Sequence, residues 1–378
     1  MVSVWDKLKR RNVVRTAIAN VVNQSLRRVT LSTASALCLV SLVVACSDSS
    51  GIALNYSDHD PLGGMRTQFV KEVLLPEIVA EGAGEIRIRD FWGGALLSSK
   101  EILKGIGDGI ADIGMVYPGH YPRQLVAHSI FNLFPRGPTN FADMVWFYRK
   151  VYEEVPAFEA EFRKANVFPL MITAGLPGAF ASTSPATRLE DIEGDRWRAG
   201  GKWPLKYLAN VGAVPTAVPW GDTYMALQTG TVDGTFANYD GIRMMRFDEV
   251  ASHLLISKEL WYGMPFLHLV NARTFERLPE ESRQAMLRAA AVAEQRFSAT
   301  YDETFDAIRE AQLADGFTVT ELSPDDLARW ENSDTLASLQ AEWVSEAEAV
   351  GLENAAEIMA HVRTLHAEAM SRGLQGAE

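Results

Sequence analysis

The side chain of this sequence best suited to chemistry with a small ligand is Arg198, at the end of a predicted strand over residues 195–198. Gly200 and Gly201 follow, and then a predicted helix from Pro204. A guanidinium presents a planar fork of N–H donors that matches the two oxygens of a carboxylate. In open α/β proteins, ligands bind at the carboxyl ends of strands, beside helix N-termini that favour anions. The pattern predicts a carboxylate site, although a surface arginine in an exposed loop would show the same spacing.

Aromatic residues stand near the ends of other predicted strands and could shape an apolar cleft around a ligand. They could equally belong to the core, since large aromatic side chains dominate protein interiors. These aromatic residues are Trp92, Tyr117, Trp203, Trp220 and Tyr239.

No motif in the sequence predicts catalysis, a metal site or a cofactor. The glycine-rich run 105–109 falls at the end of a predicted helix, whereas a dinucleotide loop lies between a strand and a helix start. His361 and His366 are five positions apart, so they do not share a helix face as zinc ligands would. The acids of residues 58–60 are interpreted as helix-capping groups rather than metal ligands. Nucleophile-elbow and phosphate-loop motifs are absent from the sequence.

The charge balance argues against a nucleic-acid partner. The chain has 378 residues, with 36 basic and 48 acidic side chains. Residues 1–45 contain seven of the basic residues and one acidic residue, which leaves 29 basic and 47 acidic residues and a net charge of −18 for the remainder. Such a body repels phosphate backbones, so the attraction of an anionic ligand must be local.

The N-terminus has the pattern of a secretory signal. Arg27 and Arg28 precede an uncharged apolar run over residues 31–45, too short for a typical membrane span. The run ends at Cys46, before a Ser/Asp/Gly segment, and this resembles a bacterial lipobox. We predict a signal peptide over residues 1–45 and a lipid-anchored tether over 46–51. The alternatives are an uncleaved helical anchor, or a cysteine that is merely a small residue of the signal peptide.

Strand-like and helix-like segments alternate along the rest of the chain, which predicts an α/β fold with helices covering the sheets. The predicted strands are 52–56, 85–89, 111–116, 167–173, 195–198, 213–217, 253–256 and 265–270. The main predicted helices are 64–80, 204–211, 279–314 and about 336–370, with a helical segment near 141–166. Two lobes connected more than once, with a long helix crossing both, fit this order best.

Four segments together resemble the solute-binding proteins of TRAP transporters. These segments are residues 91–97 before a helix, 109–114, 191–194 leading to Arg198, and the Leu-Gln-Thr-Gly block in 226–234. The segment 271–280 also resembles the family's sequence before its long helix. The likeness covers most of residues 51–310.

The resemblance implies a two-lobed periplasmic fold with mixed sheets and a hinge. We expect no cofactor and no metal. It implies lobe I at 52–173 plus 258–298, and lobe II at 174–257 plus 299–370. The ligand would be an organic acid held by Arg198, with Tyr117, Trp220 and Asn238 lining the site. The acid would pass to a membrane permease driven by an ion gradient.

The sequence also departs from the family pattern. Many members have a second arginine where this chain has Gly178-Ala179-Phe180, which favours a monocarboxylate ligand. Asn238 is displaced by one position, and in a strand this reverses the face. Metal-assisted members carry a carboxylate near Phe236, which makes a bound cation less expected here. Two other functions stay open: a lipoprotein that senses a ligand for a membrane signalling partner, and an enzyme acting on a small carboxylate.

Overall fold

The computed structural model describes residues 51–375, and the strands in this part of the chain form two mixed sheets. The five strands of the first sheet are, in spatial order, β2 (Ile86–Phe91), β1 (Ile52–Ser57), β3 (Ile113–Val116), β10 (Phe266–Asn271) and β4 (Val167–Thr173). The six strands of the second sheet are β11 (Thr318–Glu321), β9 (His253–Ile256), β5 (Gly178–Ser182), β8 (Gly234–Asn238), β6 (Arg196–Ala199) and β7 (Val214–Thr216).

Each sheet combines parallel strands with one strand that runs antiparallel to its neighbours. β1 pairs in parallel with β2 and β3, while β10 lies antiparallel between β3 and β4. In the second sheet β5 lies antiparallel between β9 and β8. β3 and β5 are buried along their whole length, as expected for strands covered on both faces.

Helices cover both sheets. In the N-terminal half they are α1 (Met65–Phe69), α2 (Leu75–Glu81), α3 (Ile102–Asp108), α4 (Phe141–Glu154) and α5 (Pro156–Lys164). In the middle of the chain they are α6 (Lys202–Asn210), α7 (Thr223–Gln228) and α8 (Tyr239–Met244). The C-terminal helices are α9 (Ala272–Arg277), α10 (Glu280–Ala314), α11 (Pro324–Trp330), α12 (Ser333–Ala349) and α13 (Ala355–Gln375). A π-helical segment, Val70–Leu74, joins α1 to α2.

The chain passes between the two sheets three times. Two crossings are short segments, residues 174–177 and 257–265, and the third is α10, which packs against β4 in the first sheet and β11 in the second. The predicted two-lobed α/β fold with mixed sheets and a long helix spanning both lobes is therefore confirmed. The residue boundaries assigned to the lobes stay predictions.

Two details of the predicted secondary structure were wrong. The helix predicted over about 336–370 is broken between α12 and α13, where Gly351 and Asn354 adopt positive φ angles. A left-handed residue turns the chain out of a helix, and Gly and Asn accept that conformation most readily. Strand β11 was not predicted: it is a short edge strand with no fully buried residue, so its sequence lacks a strong apolar pattern.

No helix between residues 51 and 375 has an apolar stretch long enough to cross a bilayer. The predicted signal peptide, its alternative as an uncleaved anchor, and Cys46 lie outside the described residues.

Candidate functional site

A cleft between the two lobes brings together all four side chains predicted to bind a ligand. Arg198, Trp220, Asn238 and Tyr117 line this one cavity. Further lining residues that the sequence did not single out as ligand contacts are His59, Asp60, Arg66, Thr67, His120, Asp240, Tyr262 and Phe266. The cleft therefore collects charged, aromatic and histidine side chains from segments far apart in sequence.

Arg198 lies within β6, one residue before the strand ends, and is only 4% exposed. Its Nε donates to the carbonyl of Val218 at 3.1 Å, and its guanidinium carbon lies 5.2 Å from the centre of the Trp220 ring. Among residues 51–375 no ion pair includes Arg198. Burial lowers the pKa of its guanidinium, and the nearby Tyr262 and Tyr117 hydroxyls oppose this only in part. A buried arginine without a carboxylate partner is costly, so this fork of donors is poised to receive an anion.

Glycines and Tyr262 hold the chain beside Arg198. The Gly200 amide donates to the Tyr262 hydroxyl at 2.9 Å, and a Cβ at Gly200 would lie 2.7 Å from that oxygen. Gly201 has a φ of +111°, which turns the chain directly into α6. The Gly200-Gly201 pair therefore fixes where β6 ends, and with it where the arginine points.

The aromatic residues near strand ends divide between the cleft and the core. Tyr117 and Trp220 line the cleft, and the ring of Tyr117 meets Phe266 edge-on with 5.5 Å between centroids. The Tyr117 hydroxyl is buried and forms no hydrogen bond of good geometry, although Tyr262 and Asn132 lie close enough to influence its pKa, which burial raises. Trp203 and Tyr239 are core residues, and Trp92 is absent from the cleft lining.

Asn238 lines the cleft, but part of its side chain is engaged in the crossing segment 174–177. Its Nδ2 donates to the carbonyl of Leu176 at 2.8 Å, and a Cβ at Gly175 would lie within 3 Å of the Asn238 amide. Tyr239 N donates to Pro177 O at 3.0 Å. Asn238 thus fastens the end of β8 to a crossing between the lobes, so only part of its hydrogen-bonding capacity is left for a ligand.

The interpretation of Asp58 and Asp60 as capping groups was wrong. Arg66 Nη1 donates to Asp58 Oδ2 at 2.5 Å and its Nη2 to Asp60 Oδ2 at 2.7 Å. The first turn of α1 is instead capped at Gly64, whose amide donates to the Thr67 hydroxyl. Sequence spacing could not separate these two roles, because an acid just before a helix satisfies either one. Arg66 therefore enters the cleft already paired.

Asp240 is the site residue that sequence reasoning missed most clearly. It follows β8 at the carboxyl end of a strand, the same rule that drew attention to Arg198. Its Oδ1 accepts a hydrogen bond from the Leu176 amide at 2.7 Å. Burial raises the pKa of the Asp240 carboxyl to about 6. Asp240 therefore titrates just below neutral pH.

Two histidines complete the wall of the cleft between Tyr117 and Asp60. The His120 ring lies 5.0 Å from the Tyr117 ring and 5.2 Å from the His59 ring, measured between centroids. Burial, together with the neighbouring His59 and Arg198, lowers the pKa of His120 to about 3, so its imidazole is neutral. Among the described residues no group of three or more His, Cys, Asp or Glu side chains is arranged to hold a metal ion.

Known proteins with a similar sequence or a similar structure indicate the fold and the family of this chain. The C4-dicarboxylate-binding periplasmic protein DctP of Rhodobacter capsulatus is 28% identical over 182 residues, which cover 48% of this chain and 53% of that protein. The ectoine-binding periplasmic protein TeaA of Halomonas elongata is 28% identical over 227 residues, covering 57% of this chain and 61% of TeaA. The chain thus spans about half the length of the curated relatives it matches.

A solved structure with the same fold is a TRAP solute-binding protein from a marine metagenome, described as specific for aromatic acid ligands. It superimposes with a TM-score of 0.73 at 20% identity, covering 84% of this chain and 98% of that one. The model of bacterial extracellular solute-binding protein family 7 (DctP) matches residues 62–341. This match includes strands of both sheets and most of the residues that line the cleft, and the chain belongs to that family.

Proposed function

We propose that this chain is the extracytoplasmic receptor of a TRAP transporter, which captures an organic acid between its lobes and delivers it to an ion-gradient-driven permease. The observation that carries the proposal is the buried, unpaired guanidinium of Arg198 in the interlobe cleft. A bidentate carboxylate would supply the two charge-assisted hydrogen bonds that the protein itself does not provide. Family members and structural neighbours named for carboxylate ligands support the same substrate class.

The proposal includes a location. Membership of an extracellular solute-binding family and the signal-like N-terminus support export, and the Cys46 lipobox supports a lipid anchor that confines the receptor near the permease. The mass of the mature N-terminal peptide distinguishes a lipid-modified cysteine from a freely diffusing form.

A thermal-shift panel of organic acids tests the carboxylate clamp. We expect the best acid to raise the melting temperature of the wild-type protein, and we expect Arg198→Ala to abolish this stabilisation while the protein stays folded. Removing one partner of a buried charge pair costs about 2–5 kcal/mol of binding free energy. Circular dichroism of the unliganded variant checks the fold.

The matched control is Arg196→Ala, two residues earlier in the same strand. Arg196 is exposed and pairs with Asp233, outside the cleft. Its removal should leave the ligand-induced shift unchanged. Full stabilisation of the Arg198→Ala protein by the best acid would contradict the assignment of the clamp.

A further inference from the structure

The part of the cleft around Arg66 is acidic, although it contains an arginine. Arg66 is 3% exposed and its two terminal nitrogens donate to Asp58 and Asp60, so two carboxylates face one guanidinium. Asp58 accepts two of these bonds, which fixes the guanidinium plane. Arg66 therefore has no free pair of donors with which to hold a second carboxylate of a ligand.

Asp240 adds a third carboxylate to this region. It is 9% exposed, and no ion pair among residues 51–375 includes it. The Leu176 amide is the single donor from another residue, and it binds Oδ1, so Oδ2 has no donor from any other described residue. Asp60, Arg66 and Asp240 all line the cleft, and the charges of Asp60 and Arg66 both influence the pKa of Asp240. Arg198 lines the same cleft and forms no ion pair with a described carboxylate.

Two histidines of the cleft lining, His59 and His120, have ring nitrogens without a hydrogen-bond partner. His59 Nδ1 and His120 Nδ1 are buried and have no hydrogen-bond partner in the described part of the chain. His59 Nε2 lies 3.8 Å from Asp60 Oδ1, so Asp60 lies beside that nitrogen and Nδ1 is left without a partner. The cleft therefore contains a carboxylate oxygen and two ring nitrogens that form no hydrogen bond with another described residue.

We propose that the cleft selects monocarboxylates that also carry an N–H or O–H donor. The ligand carboxylate would bind Arg198 and the donor would bind Asp240. The inference rests on the proposed carboxylate capture and adds Asp240 as the residue that determines specificity within it. A donor on the ligand would bind Oδ2, which accepts no hydrogen bond from the other described residues. A second ligand carboxylate in that position would face the cleft-lining Asp60 and Asp240, beside an arginine already paired with Asp58 and Asp60. Like charges in such a site repel strongly.

Two series of acids test this with isothermal titration calorimetry on the purified protein. Each series keeps one skeleton and changes one group. The aromatic series is meta-hydroxybenzoate, meta-methylbenzoate and isophthalate, and the aliphatic series is γ-hydroxybutyrate, γ-aminobutyrate, valerate and glutarate. In any series that binds, we expect the donor-bearing acid to bind at least tenfold more tightly than the methyl analogue, and the dicarboxylate to bind most weakly. Preference for the methyl analogue or the dicarboxylate overturns the inference.

Asp240→Asn identifies the residue responsible. The asparagine oxygen can still accept from the Leu176 amide, so the contact with the crossing segment is kept, while the negative charge is removed. We expect the ratio of affinities between the donor-bearing acid and the methyl analogue to fall about tenfold, with binding still dependent on Arg198. The matched control is Asp315→Asn, which removes an exposed charge paired with Arg243 and should leave the ratio unchanged.

The outcomes separate this inference from the proposed function. Two outcomes refute only the role of Asp240: acids that bind through Arg198 equally well with and without the donor, and an affinity ratio that is unchanged in Asp240→Asn. If no acid of either series binds, the proposed carboxylate capture fails together with the specificity that depends on it.

Discussion

At the scale of single residues, the Asp240 carboxyl makes the stability of the unliganded protein depend on pH. Burial raises its pKa from 3.8 to about 6, so the folded state holds this proton more tightly than the unfolded state. Between about pH 4 and pH 6 the folded state therefore binds more protons, and stability contributed by this group falls as pH rises. Above pH 6 the whole cost is present, roughly 3 kcal/mol for a shift of about two units.

Asp240→Asn should remove that cost. We expect the variant to be more stable than the wild type by up to about 3 kcal/mol at pH 8, with the difference shrinking toward zero near pH 4. Urea unfolding at pH 4.5, 6 and 8 measures the free energy of unfolding of both proteins. A difference that is independent of pH would show that the Asp240 carboxyl does not titrate in this range.

At the scale of elements, the crossing segment 257–265 positions the cleft through a close backbone approach. Gly263 has a φ of +75°, and a Cβ there would lie 2.1 Å from the carbonyl oxygen of Phe131. The neighbouring Tyr262 accepts a hydrogen bond from Asn132 on its carbonyl and one from Gly200 on its hydroxyl. Gly263 thus lets this crossing segment lie against the first lobe. In that position Tyr262 holds the end of β6 beside Arg198.

Gly263→Ala should destabilise the protein by about 2–4 kcal/mol, because strain at positive φ adds to a clash with backbone. Gly316→Ala is the matched control: its φ is +85°, but nothing lies within 4 Å of an added Cβ, so only the conformational cost of about 1 kcal/mol applies. Thermal and urea unfolding measure both variants. Equal losses of stability would mean that the contact with Phe131 does not matter.

Some helices and strands could be predicted from the sequence, and others could not. The strands 167–173 and 253–256 and the end of α10 at Ala314 agree with prediction, because local apolar patterns and helix formers determine them. The break after Ala349 and the edge strand β11 depend on single turn residues and on pairing with β9, which lies far away in sequence. At the site, the position of Arg198 in the cleft was predictable because it follows from one strand end. The pairing of Arg66 and the isolation of Asp240 depend on which charges meet in three dimensions.

At the scale of the whole molecule, the two unpaired charges of the cleft bias the relative positions of the lobes. Arg198 and Asp240 are each at least nine-tenths buried in this arrangement of the lobes, and neither forms an ion pair with a described residue. Closing the lobes without a ligand removes both charges from water without compensation, which is unfavourable. A monocarboxylate with an N–H or O–H donor would supply the missing partners. Its binding energy should therefore shift the equilibrium between open and closed lobes toward the closed form.

The double variant Arg198→Met, Asp240→Asn should therefore close without a ligand. We expect small-angle X-ray scattering to give a smaller radius of gyration for the unliganded double variant than for the unliganded wild type, close to that of the liganded wild type. The double variant should not contract further when an acid is added, because the proposed carboxylate clamp is gone. A double variant as extended as the unliganded wild type would show that the charges of the cleft do not control closure, and that packing along the two crossing segments and α10 sets the lobe equilibrium instead.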